Sequence, residues 1–337
     1  MKQFPNKFFD LCVMYFKIFK WKISLFLILI TLAIFLENMN IRIFADIIGA
    51  LKENSSNSYS DALYNVYLLI GCGVLTIFFK YYGEYFFNAK ILVSCKQLMN
   101  VDLFEYLLGH SYEYITNKQS GLLITYLKQV TKLPELLETA TRVLRFILDI
   151  LIKIVLLFFI SPIIGTCYLC FNILIFLWGR LFVKVVSKIG KLSSKIKAIA
   201  HGRMLDTINN IDVVKQFDNI ENEKKSLNIL LKQHYIIAIK SINIFLRQFS
   251  STGIISSIFS FILIVIAVYL WSKGNISTAD VTYILMIQLN GLHKISAILD
   301  GVQHITKDIA TIEKGLEVFA EPHGIVDKKG AKKLNVL

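Results

Sequence analysis

The sequence predicts an all-α membrane protein: six long transmembrane helices with cytoplasmic extensions. Three observations carry that reading. First, 55% of the 337 residues are hydrophobic and the mean hydropathy is +0.57, far too apolar for a soluble domain of this length. Second, the net charge is nonetheless +13, and nearly all of the 37 Lys and Arg fall in the termini or in two long polar excursions. The short turns on the other side carry only Lys52 and Lys273. Third, the apolar runs have helical period and are bounded by turn formers. Apolar spans with basic flanks place both chain ends in the cytoplasm. Nucleic-acid binding is disfavoured, because no basic cluster is interleaved with stacking aromatics.

Residues 1–20 read as an interfacial helix. Lys7, Asp10, Lys17 and Lys20 fall near one face, and aromatic and aliphatic side chains cover the rest, which suits a helix lying on lipid. The apolar run that follows ends in Glu37-Asn38-Met39, which offers no small-residue cleavage site, so it is an uncleaved first span over Trp21–Phe44. KENSSNSYS, Lys52–Ser60, is a polar loop. The second helix runs from Ala62 to Leu108. Its length, ~70 Å at the helical rise, exceeds the ~30 Å of hydrocarbon, so about half of it projects into water. GHSYEYITNKQSG, Gly109–Gly121, breaks the pattern. A third helix covers Leu122–Ile160, Ser161-Pro162 is a tight turn, and a fourth helix leads to a polar island. The fifth runs from Ile211 to Trp271, and the sixth passes through Val281 to Phe319, so the six-span region is residues 21–320. The tail, residues 321–337, has the Pro, Gly and Lys of a linker.

The island, HGRMLDTINNIDVVKQFDNIENE over His201–Glu223, cannot lie in hydrocarbon, because unpaired charge there is very costly. Within it Met204, Leu205, Ile208, Ile211 and Val214 recur at roughly helical spacing, with Arg203, Asp206 and Asn210 around them. That is the profile of a short helix docking onto a partner; the alternative is a solvated loop. The five cysteines form no disulfide framework, and Cys167 and Cys170 make a CxxC only inside an apolar run, where small buried residues explain them.

Polar side chains inside the spans mark a candidate substrate cavity. Asp149 and Lys153 stand four apart on the third span, Asn172 lies in the fourth, and Gln288, Asn290, His293 and Lys294 lie in the sixth. Two readings stay open for Asp149 and Lys153: a cavity lining, or a self-paired bridge within one helix face. His293 and Lys294 sit ~24 Å below the outer turn by helical rise, where snorkelling to the interface suffices to explain them.

At this point the chain resembles a known family. Six spans with cytoplasmic extensions around short polar helices are similar to the type 1 transmembrane domain of an ATP-binding cassette (ABC) exporter. LFEYLLGHSYEYITNKQSGLLITYL, Leu103–Leu127, resembles that family's first intracellular excursion. RMLDTINNIDVVKQFDNIENE, Arg203–Glu223, resembles its second, and GNISTADVTYIL, Gly274–Leu285, resembles the start of its sixth span. One departure is NGLHKISAI in the middle of the sixth span, where the family usually has a proline.

The resemblance implies a permease in a plasma membrane of bacterial type, moving its substrate by alternating access. Two such domains would pair, as a homodimer or heterodimer, and two coupling helices would contact ATPase domains that hold ATP and Mg. Tyr112, Glu113, Tyr114, Ile115 and Thr116 fall in the first coupling helix, and His201–Asn210 in the second. The sequence contains neither GxxxxGK[ST] nor a Leu-Ser-Gly-Gly-Gln signature, and a phosphate cradle needs the former's glycines and lysine. ATP hydrolysis is therefore expected from a nucleotide-binding domain outside these residues, and no cofactor or metal site is expected within them. A non-transporting membrane scaffold with this fold is the alternative function.

Overall fold

A computed structural model describes residues 5, 7–53, 58–117, 120–291, 294–319, 321 and 323. Among these residues the chain is α-helical, with one π-helical segment, and divides into two compact units: Met1–Lys153 with Asp300–Leu337, and Ile154–Leu299.

The first unit opens with α1, Phe8–Glu53, a single helix of 46 residues. Residue 20 falls inside it, so Phe8–Lys20 forms the opening turns of the helix that continues as the first span. Next come α2, Ser58–Tyr85, the π-helical Phe86–Val93, and α3, Ser94–Leu108. These match the second predicted helix, with a π insertion near its middle. The apolar positions explain their packing. Leu11, Tyr15, Phe19, Phe26, Ile30 and Ile34 recur on one face of α1 and are buried. They form one core with Phe87, Ile91, Cys95, Met99 and Leu103, and Phe26 stacks on Phe87 at 4.6 Å between ring centroids. Tyr15, buried in this core, satisfies its hydroxyl by donating to Asp102 Oδ2 at 2.8 Å.

After Gly109–Ser111 comes a short helix, α4, Tyr112–Asn117. Then follow α5, Ser120–Val130, and α6, Leu133–Ile160. The predicted third helix is thus broken by a turn at Thr131-Lys132, where Thr131 Oγ1 donates to the Leu127 carbonyl at 3.0 Å. The end of α11, which spans Lys294–Phe319, closes this core through Ile312, Leu316 and Phe319. Gly301 of α11 approaches α6 closely: a Cβ there would lie 2.3 Å from Val143 Cγ2.

The second unit is led by two very long helices, α7, Pro162–Asn209, and α9, Ile220–Ser272. Pro162 occupies the first turn of α7, where its missing N–H costs nothing. At 48 and 53 residues, both helices outrun a bilayer. They pack antiparallel. Phe171 stacks on Phe259 at 3.8 Å, Trp178 Nε1 donates to Ser251 Oγ at 3.2 Å, and Ser193 Oγ meets His234 Nε2 at 3.3 Å. A short helix, α8, Ile211–Gln216, joins them, and Asp218 takes the left-handed φ of 49° in the turn that follows. The turn before α10, Thr278–Gly291, uses Gly274 at φ 75°. A reciprocal cap then starts α10: Ser277 N–H donates to Asp280 Oδ2 at 2.8 Å, and Asp280 N–H donates to Ser277 Oγ at 3.1 Å.

Among the described residues, four stretches are long and apolar enough to cross a membrane: Phe8–Lys52, Tyr59–Leu108, Pro162–Phe182 and Ile220–Ser272. These are the first, second, fourth and fifth predicted spans. The third and sixth are less apolar for visible reasons. α6 carries Arg145, Asp149 and Lys153 in its apolar part, and α10 is only 14 residues long.

Candidate functional site

The tip of the second unit is built from the end of α7, the whole of α8 and the start of α9. No proline falls between Pro162 and Asn210, so α7 continues through His201 to Asn209 despite Gly202. Expected as a separate short helix, His201–Asn210 is instead the last turns of α7 and its C-terminal cap. The separate short helix is Ile211–Gln216. Asn210 ends α7, with its side-chain amide donating to the Asp206 carbonyl at 2.9 Å.

Charge fixes this tip. Arg203 on α7 makes two parallel bonds to Glu223 on α9: Nε to Oε2 at 2.9 Å and Nη2 to Oε1 at 2.7 Å. Thr207 Oγ1 adds a third bond to Glu223 Oε2 at 3.0 Å. Such a bidentate pair has defined geometry, so it holds the two strokes of the excursion together across α8. Arg203 is therefore a brace, whereas His201 and Asp206 are exposed beside it. Apolar side chains stand out from this braced frame. Leu205 is 60% exposed, Ile208 64% and Phe217 77%, with Met204, Ile211 and Val213 exposed beside them. Phe217 joins the stripe only because α8 ends there, which the sequence pattern did not reveal.

The first excursion carries a second cluster. In α4, Tyr112 and Glu113 are exposed, while Tyr114 and Ile115 are half-buried; the Thr116 side chain lies outside the described set. Tyr114 stacks on buried His110 at 3.9 Å, and His323 lies 4.3 Å from His110. Tyr106 donates its hydroxyl to the Glu321 carbonyl at 2.9 Å, and His323 Nε2 donates to the Tyr106 carbonyl at 2.9 Å. Gly109 permits this approach: a Cβ there would sit 2.8 Å from His323 Nε2. The segment after α11 is thus tied to the base of α4.

The candidate cavity residues divide between the units. In the first unit, Lys153 Nζ donates to Asp149 Oδ2 at 2.8 Å, and Asn38 Nδ2 donates to Asp149 Oδ1 at 3.0 Å. Lys153 is 1% exposed and Asp149 5%. Of the two readings left open, the geometry realises the self-paired bridge, extended by Asn38, a partner 111 residues away in sequence. In the second unit, Asn172 donates to the Tyr168 carbonyl at 2.7 Å, exposed Asn290 donates to the Met286 carbonyl at 3.1 Å, and buried Gln288 accepts from Ser260 Oγ at 3.0 Å. None of these three bonds another of them. Lys294 begins α11, and His293 lies outside the described residues. Among the described residues, no group of three or more His, Cys, Asp or Glu is placed to hold a metal ion.

Long paired helices that overshoot the bilayer and end in short helices define an exporter-type transmembrane fold. Among solved structures, a bacterial Atm1-family ABC exporter with ATP bound matches with a TM-score of 0.73 over 95% of this chain, at 13% identity. The match covers 57% of that exporter's chain. The family described as ABC transporter transmembrane region matches residues 23–292, and this chain belongs to it. No curated protein matches. The chain is accordingly an integral membrane protein.

Proposed function

We propose that this chain is the permease part of an ATP-driven exporter and that the tip of its second unit is the surface through which an ATPase domain drives it. The observation that carries the reading is the exposed apolar stripe from Met204 to Phe217, set on a frame braced by Arg203 and Glu223. Apolar side chains held out in water on a rigid support mark a contact surface. Helix α4, with exposed Tyr112 and Glu113, is the companion surface on the first unit. Residues 321–337 lead toward the ATPase domain, and the tie of His323 to Tyr106 would feed its motion into the first excursion. ATP and Mg belong to that domain. A second copy of the fold, identical or related, completes the pathway, and alternating access moves the substrate. Asn172, Gln288 and Asn290 are its candidate contacts in the second unit. Phe8–Lys20, the opening turns of α1, extend the first span on its cytoplasmic side, with exposed Trp21 at the membrane edge.

The basic residues of the excursions support a reading with both ends in the cytoplasm. With single cysteines in a cysteine-free background, an impermeant reagent applied to intact cells should label Asn275→Cys and spare Asn219→Cys; the reverse pattern overturns this orientation. Coupling is tested by Met204→Asp with Leu205→Asp. Each side chain buried in a partner groove contributes about 1.5–3 kcal/mol before ordering costs, so capture of the ATPase domain should weaken on the order of a hundredfold. Substrate-stimulated ATP hydrolysis should vanish while membrane insertion persists. Unchanged capture and unchanged stimulation in an inserted double variant would leave the tip as a solvated loop.

A further inference from the structure

α7 and α9 leave a groove of about 700 Å³ between them, lined by Leu174, Leu177, Trp178, Arg180 and Leu181 of α7 and Ile255 of α9. Positions 174, 177, 178 and 181 recur at helical spacing, so one face of α7 forms the wall. Its three leucines are exposed, so no other part of this chain covers them. The bond from Trp178 Nε1 to Ser251 Oγ sets one level across the two antiparallel helices. Leu174 and Ile255 lie ~6 Å from that level toward the outer ends, while Arg180 lies ~3 Å and Arg247 ~6 Å toward the excursion. Arg247 shares a stripe of α9 with Ser251 and Ile255, at steps of four residues. The apolar groove therefore ends on two arginines at its excursion side.

Depth and charge say what fits there. By helical rise Arg180 lies ~27 Å from Pro162, at the excursion-side boundary of a ~30 Å hydrocarbon layer, and Trp178 is the kind of amphipathic ring that settles at that level. Both arginines are exposed and, among the described residues, neither has an ion pair or a hydrogen bond. The two helices supply no counter-charge. α7 carries seven Lys and Arg from Arg180 to Arg203 and no Asp or Glu before Asp206, and α9 carries no Asp or Glu after Glu223. The occupant must bring the negative charge itself, and it must bring apolar length to cover the leucines. A free anion would leave the groove walls bare, and an uncharged chain would leave the arginines unpaired. A phosphodiester accepts the forked donors of a guanidinium, and an acyl chain attached to it reaches outward along the groove.

We infer that this groove is a binding site for an anionic phospholipid of the excursion-side leaflet, with its phosphate on Arg180 and Arg247 and one acyl chain against Leu174, Leu177, Leu181 and Ile255. The site requires the chain to lie in a bilayer and is independent of what the tip of the second unit drives.

The test is photo-crosslinking of the full-length chain in lipid bilayers, with phosphatidylglycerol carrying a diazirine in its acyl chain and phosphatidylcholine carrying the same group as the comparison. Crosslinks mapped by peptide mass spectrometry are expected at residues 174–181 and 255, several-fold more from the anionic probe. Arg180→Gln with Arg247→Gln should lower the anionic yield there by roughly fivefold for each arginine, towards the phosphatidylcholine level, whereas Arg180→Lys with Arg247→Lys should keep most of it. Leu177→Trp, which fills the groove, should remove the crosslinks from both probes. Equal yields from the two probes in the unaltered chain would overturn the site without recourse to any variant. So would an anionic yield that the glutamine variant leaves intact, loss of the yield to excess inorganic phosphate, or crosslinks that avoid residues 174–181 because a second copy of the chain covers them.

Discussion

Two ion pairs on one helix show what burial does to a charge. α6 carries Glu138 with Arg142 and, further along, Asp149 with Lys153. Both pairs place an acid four residues before a base, and their N–O distances are 3.1 and 2.8 Å. In sequence they are the same motif. The side chains of Arg142 and Glu138 are 61% and 53% exposed, whereas those of Lys153 and Asp149 are 1% and 8% exposed. Water screens the first and can replace either partner. Nothing replaces a partner of the second, so Asn38 is recruited from α1 to the carboxylate. Spacing says that a pair forms; only the surroundings say whether the fold depends on it.

The largest expected effect comes from breaking the buried pair asymmetrically. Lys153→Met leaves Asp149 buried without its cation and should destabilise the chain by about 3–5 kcal/mol. Asp149→Leu with Lys153→Met removes both charges, and that double variant should recover most of the loss. Chemical denaturation in mild detergent would read both. A single variant costing no more than an exposed pair would break the comparison.

Asn38→Leu comes next. It removes one donor to a charged acceptor, a loss of about 1.5–3 kcal/mol. It also removes Asn38 Oδ1, a buried acceptor that has no partner of its own. The two effects oppose, so a net cost of about 1–2 kcal/mol is expected in the same denaturation experiment. A neutral result would mean that Asp149 is held by Lys153 alone.

Asn38 also marks where reading the sequence stops. It appears there only as the polar end of an apolar run, and its partner is 111 residues away. Local signals were legible. Gly109 caps α3, Pro162 opens α7 and Gly274 turns the chain after α9, and the polar run after Leu108 contains the short helix α4. What stayed hidden lacks a local signature. The π-helical FFNAKILV has the composition of any apolar helix, and its extra residue keeps Phe87, Ile91 and Cys95 on the core face. The turn at Thr131-Lys132 is the exception, because Pro134 in the first turn of α6 marks it in the sequence. At the island, the apolar stripe was visible but the boundary was not. Asn210 breaks the helix eight residues after Gly202, the more obvious candidate, which remains inside α7. The brace from Arg203 to Glu223 crosses 20 residues and belongs to tertiary structure.

The smallest effect should come from the exposed pair and sharpens the comparison most. Glu138→Ala and Arg142→Ala each delete half of an i,i+4 pair on a solvated face, a contact worth about 0.3–0.5 kcal/mol and weakened by salt. Alanine has the higher helix propensity, which offsets part of that loss by up to a few tenths of a kcal/mol. Each single variant should therefore shift the denaturation midpoint barely beyond error. The coupling between them, measured as a double-mutant cycle, should fall further when salt is raised from about 0.05 to 0.5 M, because the screening length shrinks severalfold. The same cycle at Asp149 and Lys153 should give a coupling several times larger and insensitive to salt, because no ions reach the pair. If both cycles gave similar energies and similar salt dependence, burial would not be what separates two otherwise identical motifs, and the Asp149–Lys153 site would have to be accessible to water.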